Sequence, residues 1–369
     1  MINVLINSGY SFFSLRKSLI EHLLIKNHEL KIFTPNNSLN IKKKLQSNKL
    51  NVVKFKLHEN KKSIFSLIKN FYNIYQIFKN KKNTTNIIFG SYLNLIYGVV
   101  SFFISSKKNI FVFTGLGSFF NSKNKIIISI VKFIFNLVIL QKNSIFIFYN
   151  KADRKFLLKK IFFFKSKIIL GSGIEFNKNI SIKNKINRTI NFVFYSRFNY
   201  DKGILDLINS INIVNSKGYE KKCKFYFYGL FDDNPTSIKK NKLKKLIKQN
   251  KNCYLQETNY DVSLKKIFLN KHIFILPSHR EGLPKTVLEA MNFNKALLLS
   301  NIPGHDSLIN KKNVNGLYFE KKNEIDLSNK IIWMINNKKK IIKFSKNSKK
   351  NSLMFSSEKI NQKYYEAII

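Results

Sequence analysis

Short apolar runs alternate with helix-length runs along almost the whole chain, and this limits the fold more than any other feature. Residues 2–7 read as a strand, 12–26 as a helix and 29–34 as a strand. Further strands are expected at 52–56, 86–89, 109–113, 144–148 and 167–170, with helices such as 63–80 and 122–140 between them. Strands that alternate with helices in this way argue for a parallel sheet covered on both faces. A polar stretch at 176–188, FNKNISIKNKINR, interrupts the pattern and reads as a linker. The alternation then restarts, with strands at 190–196, 223–228, 253–256, 273–276, 296–300 and 316–319 and helices at 204–215 and 240–249. The fold class is therefore α/β, with two doubly wound, Rossmann-like domains over 1–175 and 189–351. The tail from Asp326 reads as helical, and its end, about 352–369, is expected to pack back on the first domain. Ligands of open α/β sheets sit beyond the carboxyl ends of the strands. With two such domains, the site is expected in a cleft between them.

A length of 369 residues exceeds one small core, and 44% hydrophobic content argues against disorder despite a net charge of +46. That charge suggests nucleic acid, but two observations oppose it. The arginines number five, Arg16, Arg154, Arg188, Arg197 and Arg280, whereas readers of bases and phosphates favour the guanidinium fork. The lysines are also spread along the chain. Lys, Asn, Ile and Phe are abundant together and share A/T-rich codons, so coding bias accounts for much of the charge. Attraction to an anionic membrane surface or anionic substrates is the other reading. Cys223 and Cys253 form no CxxC or Cys/His cluster, which fits a reducing cytoplasm without structural zinc. The start, MINVLINSGYSFF, has no basic region or cleavage site of a signal peptide. Residues 87–104 are long enough to mimic a membrane span, but Gly90, Ser91, Asn94, Tyr97 and Gly98 suit a strand, a turn and a buried helix better. Residues 126–140 are apolar except at positions such as Lys132 and Asn136, and read either as an amphipathic helix touching a bilayer or as a core helix.

The stretch 276–293, LPSHREGLPKTVLEAMNF, carries the most chemistry. It follows an apolar strand and combines Ser278, Glu281, Gly282, Leu283 and Pro284 with a helix bearing Glu289. A loop opening into a helix N-terminus favours anions, because free N–H groups and the helix dipole point at the ligand. Pro284 suits the first helical position, and Gly282 allows close backbone approach. If the intervening residues are helical, the two carboxylates lie roughly 12 Å apart, about the length of a nucleotide diphosphate with its sugar. One could accept from a sugar's hydroxyls and the other from a ribose's. The second domain opens with NFVFYSRFNYDKGILDLINSI, 191–211, which places Arg197 and Lys202, before Gly203, beyond its first strand. Two fixed cations there suit a leaving diphosphate.

The pattern P-S-x-x-E-G-L-P-x-x-x-L-E-A resembles the signature of retaining glycosyltransferases of family 4, with the GT-B fold. Arg197-x4-Lys202-Gly203 resembles the same family's strand-Arg-x4-Lys-Gly element. Other stretches resemble its bacterial envelope-polysaccharide branch: FTGLGSFF (113–120), IFIFYNKADRKFLL (145–158), LGSGIE (170–175), YGLFDDNPTSI (228–238), QETNYDV (256–262) and NIPGHDSLINKKNVNGLYF (301–319). The resemblance implies two Rossmann-like domains facing a cleft, donor binding by the second and acceptor binding by the first. It implies that Arg197 and Lys202 stabilise the departing diphosphate, and that Glu281 holds the donor sugar with Ser278, Gly282 and Leu283. Glu289 would hold the ribose, and Gly115, Gly117 and Arg16 would serve the acceptor or donor loops. It further implies a UDP-sugar, plausibly an N-acetylated amino sugar, and a lipid-diphosphate-linked saccharide as acceptor. Transfer would take place at the inner face of the cytoplasmic membrane, without metal or other cofactor and without nucleic acid.

Departures from the pattern fall in two places. Asn294 stands where the family often has Gly after the glutamate helix, and can take the same left-handed cap conformation. The segment 92–96 is apolar where relatives often carry basic or histidine residues on the acceptor side. Asp232-Asp233 could be read as metal ligands, but Asn234-Pro235 makes a turn the better reading. His279 and His305 read as loop residues. Two alternatives remain: a GT-B epimerase or hydrolase acting on the nucleotide sugar alone, and a non-enzymatic binder of anionic surfaces.

Overall fold

The structure, a computed structural model, describes residues 1–9, 12–35, 50–58, 64–116, 125–176, 186, 188–232, 236–259 and 262–369. The chain divides into two units, Met1–Gly173 with Ser357–Ile369, and Ile174–Ser356. Most of the polar stretch 176–188 lies outside the described residues.

The first unit is built on strands β1 (Ile2–Leu5), β2 (Leu30–Pro35), β3 (Leu50–Phe55), β4 (Thr85–Phe89), β5 (Lys108–Phe113), β6 (Ser144–Phe148) and β7 (Ser166–Ile168). They form one sheet in the order β3-β2-β1-β4-β5-β6-β7, and the pairs are parallel. The central strands are apolar at nearly every position because helices cover both faces. Among these helices are α1 (Lys17–Ile25), α2 (Ile64–Phe78), α3 (Ser91–Val100), α4 (Lys125–Val138) and α5 (Lys151–Leu157). Phenylalanines fill the space between sheet and helices. Phe113 stacks on Phe148 at 4.8 Å between ring centres and meets Phe135 of α4 edge-on at 5.1 Å.

Residues 87–104 are β4, a turn at Gly90 and helix α3. Among the described residues no helix is long and apolar enough to cross a membrane. Tyr97 of α3 is fully buried and donates to Asn109 Oδ1 at 2.7 Å. Asn109 belongs to a row of buried amides across neighbouring strands. Asn3 Nδ2 donates to Asn86 Oδ1 at 2.7 Å, and Asn86 Nδ2 to Asn109 Oδ1 at 3.2 Å. Within the row Asn86 both donates and accepts, whereas Asn3 Oδ1 and Asn109 Nδ2, at its two ends, are buried without a hydrogen-bond partner.

The second unit carries β8 (Ile190–Tyr195), β9 (Cys223–Gly229), β10 (Cys253–Glu257), β11 (Ile273–Leu276), β12 (Ala296–Ser300) and β13 (Gly316–Phe319). Their order is β10-β9-β8-β11-β12-β13, again parallel. Its helices are α6 (Ile204–Ser216), α7 (Lys240–Lys248), α8 (Leu264–Phe268), α9 (Lys285–Asn292), α10 (Glu324–Asn336) and α11 (Lys338–Ser352). In both sheets the order runs outward from one strand and then reverses, which leaves a crevice at the carboxyl ends of the two strands flanking the reversal. In the second unit those strands are β8 and β11.

The last helix, α12 (Ser357–Ile368), belongs to the first unit. Its Tyr364 is buried, with the hydroxyl 3.3 Å from that of Tyr149. Lys108 Nζ donates to the carbonyls of Ala367 and Ile368 at 3.4 and 3.1 Å, and Lys167 Nζ to that of Glu366 at 3.3 Å. These ammonium groups meet the negative end of the helix dipole. Gly173 is fixed in kind by this arrangement: with φ of +70°, an added Cβ would come 2.6 Å from Ser357 Cα.

Candidate active site

The crevice between β8 and β11 is where the sequence-predicted donor residues lie. After β8 the chain makes a short helical turn, Tyr200–Lys202, and enters α6 through Gly203. Gly203 has φ of +67°, and a Cβ there would overlap the Pro277 carbonyl. Only glycine lets the β8 and β11 loops approach so closely. This approach delivers Lys202 to Glu281. Lys202 Nζ lies 2.6 Å from Glu281 Oε1, and Ser278 Oγ donates to the same oxygen at 2.7 Å. Ser278 is fully buried, and the Glu281 side chain is 10% exposed. Burial pushes the Glu281 carboxyl upward, but the Lys202 cation and the bonds from Lys202 and Ser278 outweigh it and hold the group below the ordinary carboxylate range. Glu281 is therefore an ionised acceptor whose two side-chain bonds both fall on Oε1.

Further contacts fix the loop. His279 Nε2 lies 2.7 Å from Asp206 Oδ2 in the first turn of α6, and His279 N donates to Asp201 O at 2.8 Å. On the other side, the turn after β12 backs onto Glu281: a Cβ on Gly304 would overlap the Glu281 carbonyl. Next to it, His305 is fully buried and donates from Nδ1 to Ser300 O at 2.8 Å. Its Nε2 has no hydrogen-bond partner. Burial brings its pKa down to about 4, against the upward pull of the Glu281 carboxylate, so the ring is neutral at physiological pH. In sequence, His305 reads as a residue of the loop after Pro303-Gly304, near the nucleotide side of the second domain, but its place behind Glu281 does not show there. Its position follows from β12 lying next to β11 in the sheet.

Pro284 precedes the first residue of α9 rather than occupying it, in an extended conformation with φ of −75° and ψ of 117°. Because α9 begins at Lys285, residues 281–284 are not helical, and the helical spacing assumed for Glu281 and Glu289 applies to the second half only. Gly282 and Leu283 are buried. Glu289 is 13% exposed, with Lys285 Nζ at 3.6 Å. Burial raises its carboxyl pKa more than Lys285 lowers it. Asn294 ends the helix with φ of 56°, and Lys295 N donates back to Ala290 O at 3.0 Å. This is the left-handed cap expected of it.

Arg197 is not brought to Glu281. Its Nη1 pairs with Asp232 Oδ2 at 3.1 Å, and the side chain is 45% exposed. Asp232, which reads in sequence as a turn residue, is thus an ion-pair partner. No group of three metal-ligating side chains occurs among the described residues. The remaining predicted residues lie in the first unit. Gly115 follows β5 with φ of 133°, and its carbonyl accepts from Ser91 Oγ at 2.5 Å. Gly117 lies outside the described residues. Arg16 is buried, donates to Tyr149 OH at 2.8 Å and lies 4.0 Å over the Phe89 ring.

Two parallel-sheet units of this order, each with a crevice at its reversal, have the architecture of the GT-B fold. Residues 175–351 match the family described as glycosyl transferases group 1, nearly the whole of the second unit. The protein is a glycosyltransferase. It is 24% identical over 401 residues to the N,N'-diacetylbacillosaminyl-diphospho-undecaprenol alpha-1,3-N-acetylgalactosaminyltransferase of Campylobacter jejuni, covering 100% of this chain and 99% of that one. Its fold is similar to sucrose-phosphate synthase from Thermosynechococcus elongatus, with TM-score 0.74 and 13% identity over 99% of this chain and 97% of that one. It is similar also to Anabaena HepE in complex with UDP and glucose, with TM-score 0.73 and 15% identity over 100% of this chain and 98% of that one.

Proposed function

We propose that this glycosyltransferase belongs to family 4 and moves a sugar, with retention, from a UDP-sugar to a lipid-diphosphate-linked saccharide during envelope polysaccharide synthesis. The observation that carries the reading is the cluster of Lys202, Ser278 and Glu281 at the β8–β11 crevice. An ammonium has three donors. Lys202 spends one on Glu281 Oε1, and the others are available to diphosphate oxygens. Glu281 Oε2 accepts from a hydroxyl of the donor sugar, while Ser278 and Lys202 hold the carboxylate in place. Arg197 exchanges Asp232 for the diphosphate and adds a second cation. The amides of Gly282 and Leu283 bind the donor, and Glu289 accepts from the ribose hydroxyls.

In the reaction the acceptor oxygen bonds to the anomeric carbon as the bond from that carbon to the diphosphate breaks. The electron pair leaves with UDP, and the donor phosphate takes the acceptor's proton. Charge grows on the phosphate oxygens in the transition state, where Lys202 and Arg197 act. An N-acetylhexosamine donor and a polyprenyl-diphosphate acceptor are supported by the name of the Campylobacter relative, which spans the whole chain. UDP is supported by the ligand of the Anabaena structure. Gly115, Gly117 and Arg16 are proposed to serve the acceptor or donor loops.

The test compares UDP release with and without a lipid-diphosphate-linked acceptor for the wild type, Glu281→Gln and Arg197→Ala. Glu281→Gln is used because Glu281→Ala would strip a mostly buried ammonium of its partner, at about 3–5 kcal/mol. Both variants should lose about a hundredfold or more in acceptor-dependent turnover while unfolding like the wild type. Undiminished turnover would remove the assigned roles. Equal UDP release without acceptor would make the enzyme a nucleotide-sugar hydrolase or epimerase.

A further inference from the structure

Helix α4 of the first unit is apolar on both of its sides. Val131, Phe135 and Val138 are buried in the core, while Ile130, Phe133 and Leu137 are exposed, Phe133 to 64%. The spacing 130, 133, 137 is one stripe of a helix. The surface continues into the segment Lys160–Lys165, which is tied to the end of α4. Asn136 Nδ2 donates to Leu157 O at 3.4 Å, Lys159 N to Asn136 Oδ1 at 3.3 Å, and Lys165 Nζ to Leu140 O and Gln141 O at 3.3 and 2.9 Å. Leu140, Ile161 and Phe164 are exposed there, Phe164 to 77%. An apolar surface of this breadth marks an interaction site. Coding bias does not explain it. The second unit comes from the same Phe-rich chain, yet every exposed phenylalanine among the described residues lies in the first.

Charge identifies the occupant. Lys125, Lys132, Lys159, Lys160 and Lys165 belong to the same elements, and no acidic residue occurs between Glu59 and Asp153. A second copy would set lysines against lysines, whereas a phosphate-rich plane meets both features. We propose that this face docks on a bilayer rich in anionic lipids. Ile130, Phe133, Leu137, Leu140, Ile161 and Phe164 enter the acyl boundary, and the exposed Lys125, Lys159 and Lys160 reach the headgroup phosphates. With 14 residues, α4 lies in the membrane plane rather than across it. The proposal deepens the lipid-linked acceptor reading and rests on it for its purpose. The assay contains no acceptor and no sugar nucleotide, so either can fail without the other.

The experiment is co-sedimentation of the full chain with vesicles of phosphatidylglycerol and phosphatidylethanolamine, or of phosphatidylcholine alone. The wild type should pellet with the anionic vesicles at least tenfold better than with the neutral ones. A combined Ile130→Gln, Phe133→Gln and Phe164→Gln variant should lose about tenfold or more of that binding, with unfolding and the UDP-induced rise in melting temperature unchanged. Lys159→Gln with Lys160→Gln should weaken binding about fivefold per charge at low salt, and less as salt is added. Equal binding by the triple variant, or equal binding to neutral vesicles, would overturn the proposal. A wild-type dimer that ignores vesicles and becomes monomeric in the triple variant would do so too, assigning the face to a second copy.

Discussion

The two units have the same sheet order around their reversal points and differ in what they bury and what they show. In the first, the polar row through the sheet is made of amides, Asn3, Asn86 and Asn109, which carry no charge at any ordinary pH. In the second, the polar cluster at the reversal is ionisable: Lys202, Glu281 and the buried His305. The outer surfaces differ in the opposite sense. The first unit turns an apolar helix stripe outward, while the second has its described phenylalanines buried or half-buried. A shared topology thus supports an uncharged amide row with a sticky exterior in one half and a charged, pH-responsive crevice in the other.

The largest way to break this comparison is to remove the close approach on which the second crevice depends. Gly203→Val forces a branched side chain into the Pro277 carbonyl at a left-handed backbone position. The cost should exceed about 4 kcal/mol. Limited proteolysis should then cut the region 174–356 rapidly while 1–173 and 357–369 persist together. Loss of both units together would show that they fold as one cooperative body.

The scaffold was largely legible because strand periodicity is local. Residues 273–276, 296–300 and 316–319 are read from the sequence with the same bounds as β11, β12 and β13. Even the left-handed cap at Asn294 follows from its side chain. The pairing of site residues was less legible. Lys202 meets Glu281 across 79 positions, Arg197 meets Asp232 across 35, and Gly304 backs Glu281 from the neighbouring strand's turn. Such contacts depend on which strands lie side by side, and periodicity does not carry strand order. The outward stripe of α4 was ambiguous for a related reason. An all-apolar helix reads equally as core or as interface until its neighbours are known.

A second test separates the units by pH. His305 is held near pKa 4 in the fold and returns to about 6.5 when unfolded. Between those values the unfolded state binds the extra proton, so stability rises with pH and is lost on acidification. From pH 7 to pH 5 this group should cost about 2 kcal/mol. Urea unfolding at both pH values should show the loss in the wild type, and a smaller one in His305→Gln. The amide row of the first unit supplies no such dependence, but burial there lowers His22 in the same direction, so the difference between the wild type and His305→Gln measures the share that belongs to 174–356. An equal pH response in His305→Gln would place the sensitive group elsewhere.

The smallest effect bears on the carboxylate itself. In Ser278→Ala, Glu281 keeps Lys202 but loses one of its two side-chain bonds to Oε1, while burial stays in place. The balance that holds its pKa low is therefore weakened, and the group titrates at higher pH than in the wild type. One hydrogen bond to a charged group is worth about 1.5–3 kcal/mol at most, and water entering the space left by the hydroxyl offsets part of it. The acid limb of kcat/KM should move to higher pH, with the rate on the alkaline side nearly retained. Ser278→Thr keeps a hydroxyl and should restore the limb where the added methyl is accommodated. If the alkaline rate falls and the limb does not move, Ser278 acts on the substrate rather than through Glu281, and the ionised state of Glu281 rests on Lys202 alone.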